Sequence, residues 1–154
     1  MTLDSEWVQA YEVAVRLLAR REHSRVELRD KLIRRGHRED LVEHALVKLV
    51  EQDYVSDSRY VEVCVRSRLQ KGDGPLKIRA YLQSHGIGNE LIDDHLSSED
   101  DFWLKRALAT DQKCRTRHRF SPEDATSQRA KAIRARFLKN RGYPASLIAR
   151  VLES

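Results

Sequence analysis

Three glycines set the register of an internal repeat, and this repeat limits the possible folds more than any other sequence feature. Gly36, Gly86 and Gly142 are separated by 50 and 56 residues. Leucines and apolar pairs recur at matching distances from each glycine. The aligned residues are Leu32, Leu82 and Leu138; Leu41-Val42, Leu91-Ile92 and Leu147-Ile148; and Leu46, Leu96 and Leu152. Self-similarity at this period predicts tandem units, each built from one small motif.

Each unit contains three segments whose apolar residues recur at helical spacing. In the first unit, Ser24 and Glu27 form a capping box that predicts the start of a helix. Gly36 predicts its end, because glycine adopts the left-handed conformation without a Cβ penalty. No segment shows the strict alternation of a strand. We therefore predict an all-α fold of three tandem three-helix repeats forming an elongated, curved array. The predicted repeats span residues 1–55, 56–98 and 99–154.

A glycine-rich break, Gly72-Asp73-Gly74-Pro75, separates two predicted helices of the second unit. Pro75 suits a first helical turn, and the free amides of such a turn could receive a phosphate group. A plain loop is the simpler interpretation of the break. Ser56 and Ser121 predict further helix starts in the second and third units.

The composition excludes several classes of protein. Hydrophobic residues make up 40% of the 154 residues and charged residues 34%, and no stretch has the 18 or more apolar residues of a membrane span. The two cysteines cannot form a disulfide framework, which favours reduced thiols. We expect a cytoplasmic monomer with no membrane contact.

The sequence carries no motif for catalysis or for cofactor binding. It has no phosphate-binding loop, no dinucleotide-binding glycine motif and no H-E-x-x-H or paired C-x-x-C for zinc. The six histidines are scattered along the chain. We therefore predict that the protein is not an enzyme and that it holds no cofactor or metal.

The positive charge is concentrated in one repeat. The formal net charge is +5, with 29 basic and 24 acidic residues, and the three predicted repeats contribute −1, 0 and +6. A polyanionic partner is the functional interpretation, and a solvated helix face is the alternative. The predicted contact residues are Arg66, Arg68, Lys71, Lys77 and Arg79 in the middle repeat, with Lys113, Arg115, Arg117, Arg119, Arg129, Arg134, Arg136, Lys139 and Arg141 in the third.

Two stretches of sequence resemble a known protein family. The run LLARREHSRVELRDKL at residues 17–32, closed by Arg35-Gly36, closely resembles the opening of RecX proteins. Residues 54–60, YVSDSRY, resemble the aromatic-x-x-Asp-x-x-aromatic signature of that family. Arg66, Gly74-Pro75, Ile78, Leu82 and Gly86 continue its pattern.

The resemblance covers residues 10–98 well, whereas the third unit agrees more in pattern than in residue identity. Asp53 stands where such proteins often have glycine, so the turn at this position is expected to be built differently. The family's tandem three-helix repeats agree with the repeat found from the glycine register.

The resemblance implies a bacterial regulator of the RecA recombinase, acting in recombination, DNA repair and the SOS response. RecX proteins bind the filament that RecA forms on single-stranded DNA. They inhibit its ATP hydrolysis, strand exchange and co-protease activity. We expect the basic third repeat to approach DNA or acidic surfaces of the filament. Charge reversal at Arg134, Arg136 and Lys139 is then expected to weaken inhibition and to leave the fold intact.

A nucleic-acid-binding protein that acts without RecA, through helix-turn-helix-like segments, is the alternative function. Single- or double-stranded DNA would be its partner. The near-neutral first two repeats fit this alternative poorly, because a DNA-binding array would be basic throughout. A scaffold for some other protein is a third possibility, which only the family resemblance disfavours.

Overall fold

The structure is a computed structural model that describes the backbone of residues 3–154 and the side chains of residues 6–154. This part of the chain forms nine α-helices and no strand, which confirms the all-α prediction. The helices are α1 Leu3–Arg20, α2 Arg25–Arg34, α3 Glu39–Glu51, α4 Asp57–Gln70, α5 Pro75–Ser84, α6 Asn89–His95, α7 Asp100–Arg117, α8 Gln128–Asn140 and α9 Ala145–Leu152. They make three successive groups of three, as predicted. No described helix combines the length and the hydropathy needed to cross a bilayer.

Six of these helices end in one common hydrogen-bonded turn. After α2, the Gly36 amide donates to the Ile33 carbonyl at 3.0 Å, and the His37 amide donates to the Leu32 carbonyl at 3.2 Å. This pair of bonds is the Schellman motif, whose central residue is left-handed. The left-handed residues of the six turns are Gly36, Asp53, Gly72, Gly86, Arg119 and Gly142. The three register glycines therefore terminate α2, α5 and α8, as the sequence predicts.

The turn at Asp53 has the geometry that glycine gives to four of the other turns. Its φ is 59°, its amide donates to the Val50 carbonyl at 3.0 Å, and the Tyr54 amide donates to the Leu49 carbonyl at 2.9 Å. Aspartate is one of the few residues with a side chain that tolerates this conformation. The expectation of a differently built turn was therefore wrong.

The first repeat closes on a core of aliphatic side chains. Its buried residues come from α1, α2 and α3 and from Val55, which follows α3, so the predicted helical stripes lie face to face. The core residues are Ala14, Leu17, Leu28, Leu32, Val42, Leu46, Leu49 and Val55. At its edge, the Trp7 ring packs edge-on against His44 with centroids 4.8 Å apart. The Tyr11 hydroxyl donates to Gln52 Oε1 at 2.6 Å.

The predicted caps at Ser24 and Ser56 are confirmed, whereas the roles predicted for Glu27 and Ser121 are corrected. Ser24 and Ser56 Oγ accept from the amides three residues later, at 3.1 and 3.2 Å. The Glu27 carboxylate binds the Arg21 guanidinium instead of closing the capping box. Ser121 caps only a short 3₁₀ turn at Asp124–Thr126, and Ser127 caps α8.

The chain divides into two compact units that do not coincide with the three repeats. One consists of the described residues of Met1–Cys64 with Leu82–Ile92, and the other of Val65–Tyr81 with Asp93–Ser154. Each unit therefore joins part of the middle repeat to one outer repeat. The predicted boundaries at 55/56 and 98/99 stay predictions, and residues 1–2 of the first repeat lie outside the described residues.

Candidate polyanion-binding surface

The end of α7 and the exposed side of α8 carry a group of exposed basic side chains, which we call the basic face. Its six side chains are exposed, and none makes an ion pair with a described residue. The basic face consists of Lys113, Arg117, Arg119, Arg129, Arg136 and Lys139. Exposed guanidinium groups without carboxylate neighbours keep their donors available for a partner's phosphate or carboxylate oxygens.

A depression of about 420 Å³ lies within the basic face, along α8. Arg129 and Arg136 stand seven residues apart, so they lie on the same side of the helix, two turns from each other. Ile133 and Phe137 line the depression between them, and His118 completes it from the end of α7. Basic side chains around an apolar, partly aromatic floor form the combination that holds a phosphate backbone with its bases.

A second depression of about 600 Å³ lies between α8 and α9. Ala145, Ile148 and Leu152 give it an apolar wall, and Arg136 and Lys139 stand on its α8 side. The two depressions share Arg136, which can therefore reach a partner seated in either one.

Arg134 is not part of this surface, which corrects its predicted role. Its side chain is 1% exposed, and its Nε and Nη2 donate to the two Asp111 carboxylate oxygens at 2.8 and 2.9 Å. Its Nη1 donates to the Ala125 carbonyl at 2.8 Å. Arg134 therefore joins α7 and the 3₁₀ turn to α8, and its charge is neutralised inside the repeat. Charge reversal there would disrupt the fold instead of leaving it intact.

Two further predicted arginines are held by contacts within the protein. Arg115 Nε donates to Asp111 Oδ2 at 3.0 Å. Arg141 Nη1 donates to the Lys71 carbonyl at 3.0 Å, and its guanidinium lies 5.2 Å from the Phe137 ring centre. Both side chains are half-buried, so they contribute less to an outer surface than the six residues of the basic face.

The basic residues predicted in the middle repeat do not form a comparable surface. Asp73 is buried, and it accepts from Arg68 Nη1 at 3.2 Å and lies 3.4 Å from Lys77 Nζ. The Arg68 guanidinium also lies 3.7 Å from the centre of the Tyr81 ring. Arg79 pairs with Asp93. Arg66 and Lys71 are exposed.

The glycine-rich break does not offer its amides to a phosphate group. The Gly74 amide donates to the Arg141 carbonyl at 2.5 Å, and the Leu76 amide donates to the Gly142 carbonyl at 2.9 Å. Because the donors are used within the protein, the suggested phosphate site is wrong and the break is a structural junction.

Sequence reasoning missed Asp111, although the sequence holds a signal for it. Asp111 lies one turn from Ala107 and Cys114 on the buried side of α7, so an acidic residue interrupts an apolar stripe. A buried carboxylate requires a partner.

Burial, and then the Asp111 charge, raise the pKa of the Cys114 thiol, which keeps it protonated. Within the described part of the chain, no three His, Cys, Asp or Glu side chains are placed to share a metal ion.

Comparison with known protein families identifies two segments of the chain. Residues 10–49 match the RecX first three-helix domain, and residues 56–96 match the RecX second three-helix domain. The chain belongs to the RecX family. It is 37% identical over 137 residues to the regulatory protein RecX of Halorhodospira halophila, which covers 89% of this chain and 82% of the relative. It is 38% identical over 146 residues to that of Legionella pneumophila, covering 94% and 93%.

Solved RecX structures share the fold. The crystal structure of RecX from Lactobacillus salivarius superimposes with a TM-score of 0.82 at 22% identity, covering 97% of this chain and 96% of that one. A second crystal structure of a regulatory protein RecX gives 0.83 at 24% identity, covering 99% and 74%. The basic face lies outside the segments that match the two RecX domains.

Proposed function

We propose that this RecX protein binds the RecA filament on single-stranded DNA and inhibits its ATP hydrolysis, strand exchange and co-protease activity. The protein thereby regulates recombination and DNA repair. The observation that carries the proposal is the basic face, an exposed group of six positive side chains with no ion-pair partners among the described residues. Family membership supplies the regulatory context, and the basic face supplies a surface for a polyanionic filament.

The charges of the basic face suit a nucleoprotein better than a small ligand. Neutralising a phosphate on a single strand releases counterions, and each such contact contributes about −0.7 to the slope of log affinity against log salt. Arg129 and Arg136 are two turns of α8 apart, which is about 10 Å along the helix axis. This separation allows each guanidinium to bind a different phosphate, with the apolar floor of the depression between them.

Charge reversal at these two arginines tests the proposal. The variant Arg129→Glu/Arg136→Glu is expected to bind RecA filaments at least about tenfold more weakly, because each lost charged hydrogen bond costs about 1.5–3 kcal/mol. The slope of its log affinity against log salt concentration is expected to become less steep by about 1.4. Inhibition of the filament's ATP hydrolysis is expected to weaken in parallel.

The matched control is Arg16→Glu/Arg20→Glu, which makes the same change in charge at two exposed positions of α1. This control is expected to bind RecA filaments nearly as the wild type does. It therefore separates the loss of contacts at the basic face from general repulsion between the added negative charges and the filament. Equal inhibition by the wild type and Arg129→Glu/Arg136→Glu would remove the basic face from the proposal. Tight, salt-sensitive binding to DNA alone, with no effect on the filament, would favour the alternative of a DNA-binding protein that acts without RecA.

A further inference from the structure

The first and second repeats meet through a specific turn-to-turn contact. Ser24, which caps α2, donates its hydroxyl hydrogen to the His85 carbonyl at 2.7 Å. His85 directly precedes Gly86, the residue that ends α5. A Cβ atom added to Gly86 would lie 2.5 Å from the Val26 side chain. The start of one repeat's second helix therefore packs closely against the end of the next repeat's second helix.

The second and third repeats meet through the same arrangement. Gly74, which precedes α5 as Ser24 precedes α2, donates its amide hydrogen to the Arg141 carbonyl at 2.5 Å. Arg141 directly precedes Gly142, and a Cβ atom added to Gly142 would lie 2.6 Å from the Lys77 amide nitrogen. In both junctions a helix-starting residue donates to the carbonyl just before a register glycine, and the glycine allows the close approach.

The first repeat has the same turn, but no described residue occupies it. Gly36 is left-handed with φ 93°, and no described atom outside its own chain neighbours lies within 4 Å of an added Cβ. The Arg35 carbonyl, equivalent to those of His85 and Arg141, accepts no hydrogen bond from a described residue. Arg34 and Arg35 are exposed and make no ion pair with a described residue.

We propose that the Gly36 turn is a docking surface for the first turn of a helix from RecA protein in the filament. This inference rests on the proposed function. The two internal junctions define the occupant: a helix start with serine or glycine as its cap, which donates to the Arg35 carbonyl. Acidic residues in its first turn would face Arg34 and Arg35, and acidic residues are favoured there by the helix dipole.

Substitution of Gly36 by asparagine tests the docking directly. Asparagine tolerates the left-handed conformation better than most residues, and its Cβ has space. The Gly36→Asn side chain would occupy the position of the docking helix, so filament affinity is expected to fall at least about tenfold. The control is Gly88→Asn, at an exposed glycine where an added Cβ likewise meets no described atom within 4 Å. It is expected to bind as the wild type does.

Charge reversal provides a second variant that does not depend on backbone strain. Arg34→Glu/Arg35→Glu is expected to weaken filament binding at least about tenfold, whereas Arg16→Glu/Arg20→Glu is expected to leave it nearly unchanged. Thermal unfolding of all four variants shows whether each has kept its fold.

The outcomes separate this inference from the function on which it rests. If the wild type does not bind RecA filaments, the proposed function fails. If the wild type binds and both Gly36→Asn and Arg34→Glu/Arg35→Glu bind equally well, the docking surface is wrong and the proposed function stands. If only the charge reversal weakens binding, the contact is general electrostatic attraction, and the docked helix is likewise overturned.

Discussion

The first and third repeats contain similar numbers of basic residues but use them differently. In the first repeat, several arginines are neutralised at the surface: Arg21 pairs with Glu27 at 2.8 Å, and Arg29 with Glu43 at 2.5 Å. In the third repeat the close ion pairs converge on the buried Asp111, and the basic face has none with the residues that the structure describes. The number of basic residues therefore does not measure the positive charge that a surface offers; the position of the acidic residues does.

The first and last turns of α7 carry opposite charges. Asp100 and Asp101 lie in its first turn, and Arg115 and Arg117 in its last. At a rise of about 1.5 Å per residue, the two ends are more than 20 Å apart, which exceeds the screening length of about 8 Å at physiological salt. Each group complements the helix dipole at its own end, and the positive end contributes to the basic face.

Loss of the buried ion pair of the third repeat is expected to have the largest effect on stability. Arg134→Met leaves the Asp111 carboxylate buried with Arg115 as its one remaining ion-pair partner among the described residues, so the free energy of unfolding is expected to fall by about 3–5 kcal/mol. Urea denaturation measures this change. The control is Arg136→Met, an exposed position that makes no ion pair with a described residue, for which little change is expected.

A double variant sharpens the interpretation of this result. Asp111→Leu/Arg134→Met removes both charges, and part of the lost stability is expected to return, because no unpaired charge remains buried. An Arg134→Met variant as stable as Arg136→Met would show that the third repeat does not depend on its buried pair, and the contrast with the first repeat would then fail.

The repeat architecture could be predicted from the sequence because its signals are local. A glycine that ends a helix and apolar residues at helical spacing act within a few residues of each other. Gly36, Gly86 and Gly142 therefore fixed the predicted register correctly. Asp53 escaped this reasoning, since an aspartate in the left-handed conformation carries no clear signature in a single sequence.

The candidate surface could be predicted only in part, because it depends on contacts between distant residues. A run of basic residues does not show which side chain points inward, and Arg134 lies in the same run as Arg136. Only the packing of α7 against α8 shows that Asp111 neutralises Arg134. In the same way, the sequence does not show that the Gly74 amide donates to the Arg141 carbonyl, 67 residues further along the chain.

The three register glycines provide a second comparison of the repeats, with a smaller expected effect. Alanine at any of them must adopt the left-handed conformation, at a cost of about 1–2 kcal/mol. The added Cβ of Gly36→Ala would have no described atom within 4 Å, whereas that of Gly142→Ala would lie 2.6 Å from the Lys77 amide nitrogen. We expect unfolding free energies to fall by about 1 kcal/mol for Gly36→Ala and about 2–3 kcal/mol for Gly142→Ala. If urea denaturation gave equal losses of unfolding free energy for the two variants, the junction at Gly142 would have shifted to make room for the added Cβ.

The smallest expected effect concerns His23, a buried histidine of the first repeat. Its Nδ1–H donates to the Arg21 carbonyl at 3.0 Å, and its Nε2 accepts from Lys31 Nζ at 2.9 Å, so the ring is neutral. Burial lowers the pKa of His23; the Arg21 carbonyl opposes this effect, and the positive charges of Arg21 and Lys31 add to it. The native state then binds fewer protons than the unfolded state near and below pH 6.5.

Stability is therefore expected to fall as the pH falls from 7 through the unfolded-state value of about 6.5. One proton contributes at most about 1.4 kcal/mol per pH unit. His23→Gln is expected to flatten the dependence of unfolding free energy on pH between 7 and 5, whatever its effect at pH 7. Identical slopes for the wild type and His23→Gln would show that the interior of the first repeat accepts a charged imidazole, despite Arg21 and Lys31 beside it.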